Sequence, residues 1–379
     1  MTTQMYDDAV VGAGVVGLAT AYALAKRGRR VVVFERCARA EGASVRNFGM
    51  LWPIGQPGGA RFSLACHSLA LWREVLEEAN LWHSHGGSLH LAYREDEAAI
   101  LREYVDLAHH EAQPVAWLKP RETLAKAPRV RSEGLIGGMW SPSETCIDPR
   151  EVIGSLPAWL TERFGVQFVF GCQVFARENA KIRTSHDTWQ AESLYVCPGA
   201  DLQTLYPGLF ESMGLIRCKL QMMRSEPIGE AERIGPMLAG GLTLRHYPAF
   251  ERCPSLPALR RRIAEETPEY DHYGIHVLAS QNGRGEVVIG DSHEYGDAIE
   301  PFDKAEIDAL VLDYLSSFLD VPGLRIAQRW HGIYVKHPVE PYVVARPEPS
   351  VTVVAGLGGA GMTLSFGLGE QVVLENLGG

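Results

Sequence analysis

Residues 8–35 read DAVVGAGVVGLATAYALAKRGRRVVVFE. The run divides into a short β-prone segment from Asp8 to Val11, a glycine turn, a helix-forming segment from Val16 to Lys26, and a second β-prone segment from Arg30 to Phe34. Gly28 follows the helix as a C-cap, and Glu35 closes the second strand. The turn carries G-x-G-x-x-G spacing. Gly12 permits a tight turn, Gly14 lets the backbone approach a pyrophosphate, and Gly17 lets helix and strand pack closely. Free N–H groups and the positive end of the helix dipole then hold phosphate oxygens. Glu35 lies 18 residues after Gly17. A carboxylate there accepts hydrogen bonds from ribose hydroxyls and repels a 2′-phosphate. A lone glycine motif is weak evidence. Here strand, helix, second strand and acid stand in register, the context that the motif requires.

The rest of the composition bounds the class. The chain has 379 residues, 46% hydrophobic and 22% charged, an ordinary globular composition with room for two domains. No apolar run reaches the ~18 residues of a bilayer span. The polar start MTTQMYDD leads straight into the fingerprint, so the expectation is no signal peptide and a cytoplasmic protein. The seven cysteines are an odd number without a C-x-x-C pair, which argues against a disulfide framework or a zinc site. His109 and His110 point in two directions on a helix, so no metal centre is expected. A net charge of −10 disfavours nucleic acid. It also requires local cations wherever an anion binds.

Cofactor-binding signals recur in three places: residues 1–85, 145–215 and 325–379. The second place holds a helix from Pro149 to Phe164, the run around Cys172 to Val174, and the strand SLYVCPGA of residues 193–200. The third ends in SVTVVAGLGGAGMTLSFGLGEQVV, residues 350–373, again strand, glycine turn and helix. The intervening residues 86–144 and 216–324 carry β-prone runs at 88–93, 242–247, 274–279 and 286–291, with helices at 96–111, 255–266 and 304–318. The expected fold is α/β, with a discontinuous Rossmann-like cofactor domain and a mainly antiparallel α+β substrate domain.

The glycine fingerprint with Glu35 resembles the FAD-binding flavoproteins. VVAGLGGAGMTLSFGLGE near the C-terminus resembles the second FAD signature of the D-amino-acid oxidase superfamily, in its sarcosine and glycine oxidase branch. The resemblance spans nearly the whole chain, with its specific parts at the two ends. It implies FAD contacts at Gly12, Gly14, Val15, Gly17, Glu35, Arg36, Ser44, Arg46, Asn47, Val174, Gly199, Gly358, Gly359, Gly361, Met362 and Thr363. ASVRNFGMLWPIGQP, residues 43–57, and LTLRHYPAF, residues 242–250, resemble a subgroup associated with 2-aminoethylphosphonate breakdown. The stretches where relatives attach FAD covalently are RWHGIYVKHP, residues 329–338, and GASVRNFG, residues 42–49. Neither supplies a matching attachment residue, so the FAD is expected to be non-covalent. Relatives clamp a substrate carboxylate with an arginine just after the Trp-x-Gly turn. This chain places Tyr334, Lys336 and His337 near that point, which leaves room for a different anion.

The candidate substrate-binding residues are Arg245, His246, Tyr247, Lys336, His337 and Trp52. Strand alternation would send Arg245 and Tyr247 to one face and His246 to the other. Trp52 reads either as a flavin-facing residue or as core. His272, His276 and His293 have no motif behind them, and Arg260 to Arg262 read as a solvated helix face. The family implies hydride transfer from an amine carbon to flavin, then imine hydrolysis, with no certain catalytic side chain and with O2 or another electron acceptor completing the cycle. The expected substrate is a small anionic amine. Other readings remain open: an oxidase or dehydrogenase of glycine, sarcosine or a D-amino acid, a flavin monooxygenase, and a non-catalytic flavoprotein scaffold. Oligomeric state is not legible.

Overall fold

The computed structural model describes residues 5–378. Its chain start follows the fingerprint. Strand β1 spans Met5–Val11, helix α1 spans Val15–Ala25 and strand β2 spans Val31–Glu35. β1 pairs in parallel with β2 on one side and with Thr188–Val196 on the other. β2 pairs in parallel with Gln167–Phe170, and Thr188–Val196 pairs in parallel with Val351–Ala355. The antiparallel strand Val343–Ala345 completes that edge. The hairpin of Val174–Glu178 and Lys181–Thr184 joins the early part of Thr188–Val196. Val, Ile and Ala fill these strands because the parallel core is covered on both faces.

One face carries α1, the helix Ala60–Glu78 and the C-terminal helix Gly361–Leu377, which share a core built on Leu18, Trp72, Leu76, Leu364 and Phe366. Trp72 meets Phe366 at 4.2 Å between ring centroids, and its Nε1–H donates to the carbonyl of Met362 at 2.8 Å. Three segments distant in sequence thus make one dinucleotide-binding layer.

The second sheet runs in the order Ile326–Lys336, Ile216–Ser225, Val287–Gly290, Leu278–Gln281, Met237–Ala239, Ser88–Ala92, Gly137–Ser141 and Ala116–Leu118. All these pairings are antiparallel except Met237–Ala239 with Ser88–Ala92. Residues 326–336 were expected with the cofactor segments. They instead pair along the length of Ile216–Ser225 and so belong to the second sheet. Lys336, at the end of that strand, also bridges to Leu357, just before the C-terminal helix. The long strand therefore carries side chains from the second sheet onto the start of that helix.

One expected strand is absent among the described residues. Residues 242–247 lie in a 3-10 turn, Gly241–Arg245, followed by a second, Pro248–Arg252. Local bonds satisfy its backbone: Thr243 N–H donates to Gly240 O and His246 N–H to Thr243 O, each at 3.0 Å. Leu242, Thr243 and Leu244 are buried in succession and Arg245, His246 and Tyr247 are half-buried, so burial does not alternate and the alternation argument fails there. No helix among the described residues is long and apolar enough to cross a membrane.

Candidate active site

The glycine turn has the geometry that a pyrophosphate requires. Gly12 has φ +97°, and a Cβ on it would lie 2.4 Å from the Cys197 carbonyl oxygen. Glu35 accepts the Ala13 N–H at 2.9 Å and the Cys37 N–H at 3.0 Å, so its carboxylate stands at the mouth of the turn. Val15 N–H donates to Ser44 Oγ at 2.9 Å, which sets the Ser44 hydroxyl at the start of α1. That first turn holds no acidic residue to oppose a phosphate. Cys172 N–H donates to Glu35 O at 2.9 Å and brings the approach to Val174 beside the same corner. Arg36 pairs with Asp201 at 2.8 Å, next to Gly199 with φ +59°.

The loop after β2 is held by its own side chains. Asn47 Nδ2 donates to the carbonyls of Ala43 and Ser44, and its Oδ1 accepts the Gly49 N–H. Arg46 Nη1 donates to His331 O at 3.0 Å, tying this loop to the long strand of the second sheet. Gly358 (φ +56°), Gly359, Gly361, Met362 and Thr363 make the turn and first residues of the C-terminal helix, whose first turn also lacks acidic residues. Trp52 N–H donates to Thr363 Oγ1 at 3.0 Å. The cradle without Cβ atoms, the carboxylate and the two helix starts fit FAD.

A polar aromatic cluster stands against the start of the C-terminal helix. The rings of His246 and His276 stack at 4.3 Å, and His293 lies 5.1 Å and 4.8 Å from them. Tyr247 is 6.0 Å from His276 and 6.3 Å from Trp52. Tyr295 and Tyr334 flank His293 at 5.9 Å and 6.3 Å, and Lys336 Nζ lies 4.2 Å from the Tyr295 ring centroid. Tyr334 and Lys336 both border Gly358, where a Cβ would meet Lys336 Cβ at 3.1 Å and Tyr334 Cε2 at 3.9 Å. The cluster therefore reaches this helix start twice, at Thr363 through Tyr247 and Trp52 and at Gly358 through Tyr334 and Lys336.

Burial controls the charges here. It pushes His246 well below the usual histidine range, helped by the neighbouring His276, His293, Arg245 and Lys336, and it lowers His293 to about 4. Burial also raises the phenols of Tyr247, Tyr295 and Tyr334. Burial thus favours the uncharged imidazoles of His246 and His293 and keeps the phenols as O–H donors, with the Lys336 side chain beside them. Trp52 Nε1, Arg245 Nη1, Asp291 Oδ1 and both ring nitrogens of His90 and of His276 are buried without a hydrogen-bond partner among the described residues. Buried polar groups are nearly always paired, so these orphans mark where a bound molecule would meet the wall.

Two expected substrate residues are engaged elsewhere. Arg245 donates through Nη2 to the carbonyls of Tyr270 at 2.9 Å and Ile275 at 3.0 Å, and through Nε to His246 Nε2 at 3.2 Å. These bonds strap it to His246, while its Nη1 stays buried without a hydrogen bond, 3.7 Å from Asp271 Oδ1. His337 Nδ1 accepts the N–H groups of Val339 and Glu340 and caps a turn. His246, Tyr247, Lys336 and Trp52 do come together. His276, His293, Asp291, Tyr295 and Tyr334 complete the cluster. Apart from Tyr334, these residues carry no motif in the sequence, and His276 reaches Asp291, His293 and Tyr295 only through the fold of the second sheet. The three histidines do not form a good metal centre: Arg245 Nε–H occupies the His246 Nε2 lone pair, and a metal cation would face both Arg245 and Lys336.

The comparisons with known proteins bear on the family and the fold. A family profile described as "FAD dependent oxidoreductase" matches residues 7–373. Glycine oxidase of Geobacillus kaustophilus (strain HTA426) is 30% identical over 210 residues, covering 52% of this chain and 55% of that relative. The chain thus spans about half the length of that curated relative. The crystal structure of glycine oxidase from Geobacillus kaustophilus superposes with TM-score 0.80 at 22% identity, covering 99% of this chain and 95% of that one. L-proline dehydrogenase from P. horikoshii superposes with TM-score 0.81 at 21% identity, covering 99% and 94%. At these identities the two structures speak for the fold alone.

Proposed function

Because the chain belongs to the family of FAD-dependent oxidoreductases, we propose that it oxidises a C–N bond of a small amine bearing an anionic end, with 2-aminoethylphosphonate or its N-methyl derivative favoured. The observation that carries this reading is Lys336. It stands in an aromatic, imidazole-lined cluster against the C-terminal helix start, where Tyr334 follows Trp330-His331-Gly332 in place of a carboxylate-clamping arginine.

Bound FAD supplies the two-electron oxidant. Gly12, Gly14, Gly17, Glu35 and Ser44 would hold its ADP half, and the Gly358–Thr363 turn with Trp52 would hold the ring end. The chain's own part is positioning. Lys336, with phenol O–H groups beside it, holds the anion, and Tyr247 and Trp52 wall the amine end and exclude water. The oxidised product is an imine, which water hydrolyses to a carbonyl compound and an amine.

A second reading, oxidation of glycine, sarcosine or a D-amino acid, is favoured by the likeness to glycine oxidase. Measured kcat/KM separates the two. The proposal expects 2-aminoethylphosphonate or its N-methyl form to exceed glycine, sarcosine and D-alanine. The reverse order sinks the aminophosphonate assignment and leaves the amine oxidation standing.

A further inference from the structure

His276 and Asp291 form a buried side-chain pair that the binding of FAD and of an anion leaves unused. The two residues lie opposite one another, and each accepts the other's backbone N–H: His276 N–H to Asp291 O at 3.1 Å and Asp291 N–H to His276 O at 2.7 Å. Both residues lie just outside the paired strands Leu278–Gln281 and Val287–Gly290, and their side chains meet there. His276 Nε2 stands 2.5 Å from Asp291 Oδ1, with each side chain only 6% exposed. Beside a carboxylate, the neutral imidazole carries its proton on Nε2. Nδ1 then holds the free lone pair; neither ring nitrogen nor Asp291 Oδ1 has another partner among the described residues, so Nε2 is left to the carboxylate beside it and Nδ1 to a bound molecule.

We propose that His276 is the base that removes a proton from the substrate's ammonium group, with Asp291 as the positioning residue that fixes its tautomer. The proposal rests on the amine-oxidising reading of the site. Hydride cannot leave a carbon whose nitrogen is still an ammonium, because no lone pair is available to form the imine. An alkylamine titrates near about 10 and enters protonated at neutral pH. In the step, an N–H bond of the ammonium breaks and its electron pair stays on nitrogen. The proton passes to His276 Nδ1, and Asp291 stabilises the imidazolium through Nε2–H.

The surroundings suit this assignment. His246 stacks on His276, the His293 ring is tilted against it, and Tyr247 lies across from it. Tyr295, Tyr334, Cys218 and Lys336 stand behind His293, and Arg245 stands behind His246. Asp291 is the one carboxylic acid among these groups. It is therefore the one counter-charge an imidazolium would find, opposed by Lys336 and Arg245. His246 and His293 are held neutral by burial, which leaves His276 as the imidazole with a carboxylate to share its charge.

The test follows anaerobic flavin reduction by an amine from pH 6 to 10 for the parent, His276→Gln and Asp291→Asn. The role predicts a loss on the order of 100-fold for His276→Gln at pH 7, recovering to within a few-fold of the parent near pH 10, where the amine enters unprotonated. Asp291→Asn should lose less and recover in the same direction. A loss uniform with pH, or none, overturns the role while leaving amine oxidation intact. A second readout needs neither amine nor FAD. Ring 15N NMR of the FAD-free parent should find the His276 proton on Nε2 at neutral pH, moved by Asp291→Asn. A proton on Nδ1 in the parent overturns the proposal even if the variants fail to fold. A parent that no amine reduces refutes the reading of the site and this role with it, whatever the tautomer.

Discussion

Gly17 lies so close beneath Gly12 that a Cβ on it would stand 1.8 Å from the Gly12 carbonyl oxygen. That contact fixes α1 against the end of β1 and so sets the aperture of the glycine turn. Gly17→Ala must push the helix away from the strand. Overpacking of this kind costs about 1–3 kcal/mol, and the displaced helix start should also release FAD. The denaturant midpoint and the flavin-to-protein absorbance ratio should therefore fall together.

Gly14→Val separates the binding role from the structural one. A Cβ at Gly14 meets only Ser44 Oγ, at 3.1 Å, the end of a small side chain. The fold should survive with a near-parental denaturant midpoint, while the flavin content collapses because valine occupies the pyrophosphate's approach. A variant purified with full flavin would contradict the assignment of the fingerprint.

The FAD should come free of the protein. The stretches at 42–49 and 329–338 offer no cysteine, and both of their histidines are engaged at Nδ1, His331 with Asp303 at 2.8 Å and His337 with the N–H groups of Val339 and Glu340. Acid precipitation should leave yellow flavin in the supernatant. Flavin retained in the pellet would show a covalent link.

Lys336 and Arg245 should behave in opposite ways. Lys336→Met removes a charged hydrogen bond worth about 1.5–3 kcal/mol. It should lower kcat/KM for an anionic amine roughly 10- to 150-fold, with little change for an uncharged amine of equal size. Arg245→Met instead strands the carbonyls of Tyr270 and Ile275. Its first effect should be a fall in stability of about 1–3 kcal/mol, read as a lower denaturant midpoint. Equal kcat/KM on the anionic amine for Lys336→Met and the parent would move the anion site elsewhere.

Acid should weaken the fold through buried imidazoles. Burial lowers His293 to about 4 and His90 to about 3. As pH falls below about 6.5, the unfolded chain takes up protons that the native protein refuses. Stability therefore declines until the native pKa of each group is passed. Between pH 7 and pH 5 the loss should be about 2 kcal/mol per imidazole, visible as a shift in urea midpoint. Replacing His90 with Asn should flatten part of that slope.

The cofactor end of the molecule was legible because its determinants are local. Gly12, Gly14, Gly17 and Glu35 lie within one strand–helix–strand unit, and each glycine has a steric reason within that unit or beside it. The C-terminal signature is read in the same way. The substrate end was half legible. Lys336, His246, Tyr247 and Trp52 meet in one cluster, while Arg245 is bonded to backbone carbonyls behind His246 and His337 caps a turn. The run at 242–247 mimics a strand by alternating leucine with polar residues, while Gly240 and Gly241 before it and Pro248 after it allow a 3-10 path with every leucine buried. His276, Asp291 and His293 could not be found from spacing, because only the strand pairing of the second sheet brings them together.

The central claim is that an amine delivers its electrons to FAD in this protein. The direct measurement is anaerobic titration of the purified flavoprotein with 2-aminoethylphosphonate, its N-methyl derivative, glycine, sarcosine and D-alanine, alongside NADH and NADPH. The account predicts that at least one amine, foremost an aminophosphonate, bleaches the oxidised flavin band, and that the nicotinamides do not. Bleaching by NADH or NADPH with none by any amine would contradict it, as would a flavin that no donor in the panel reduces.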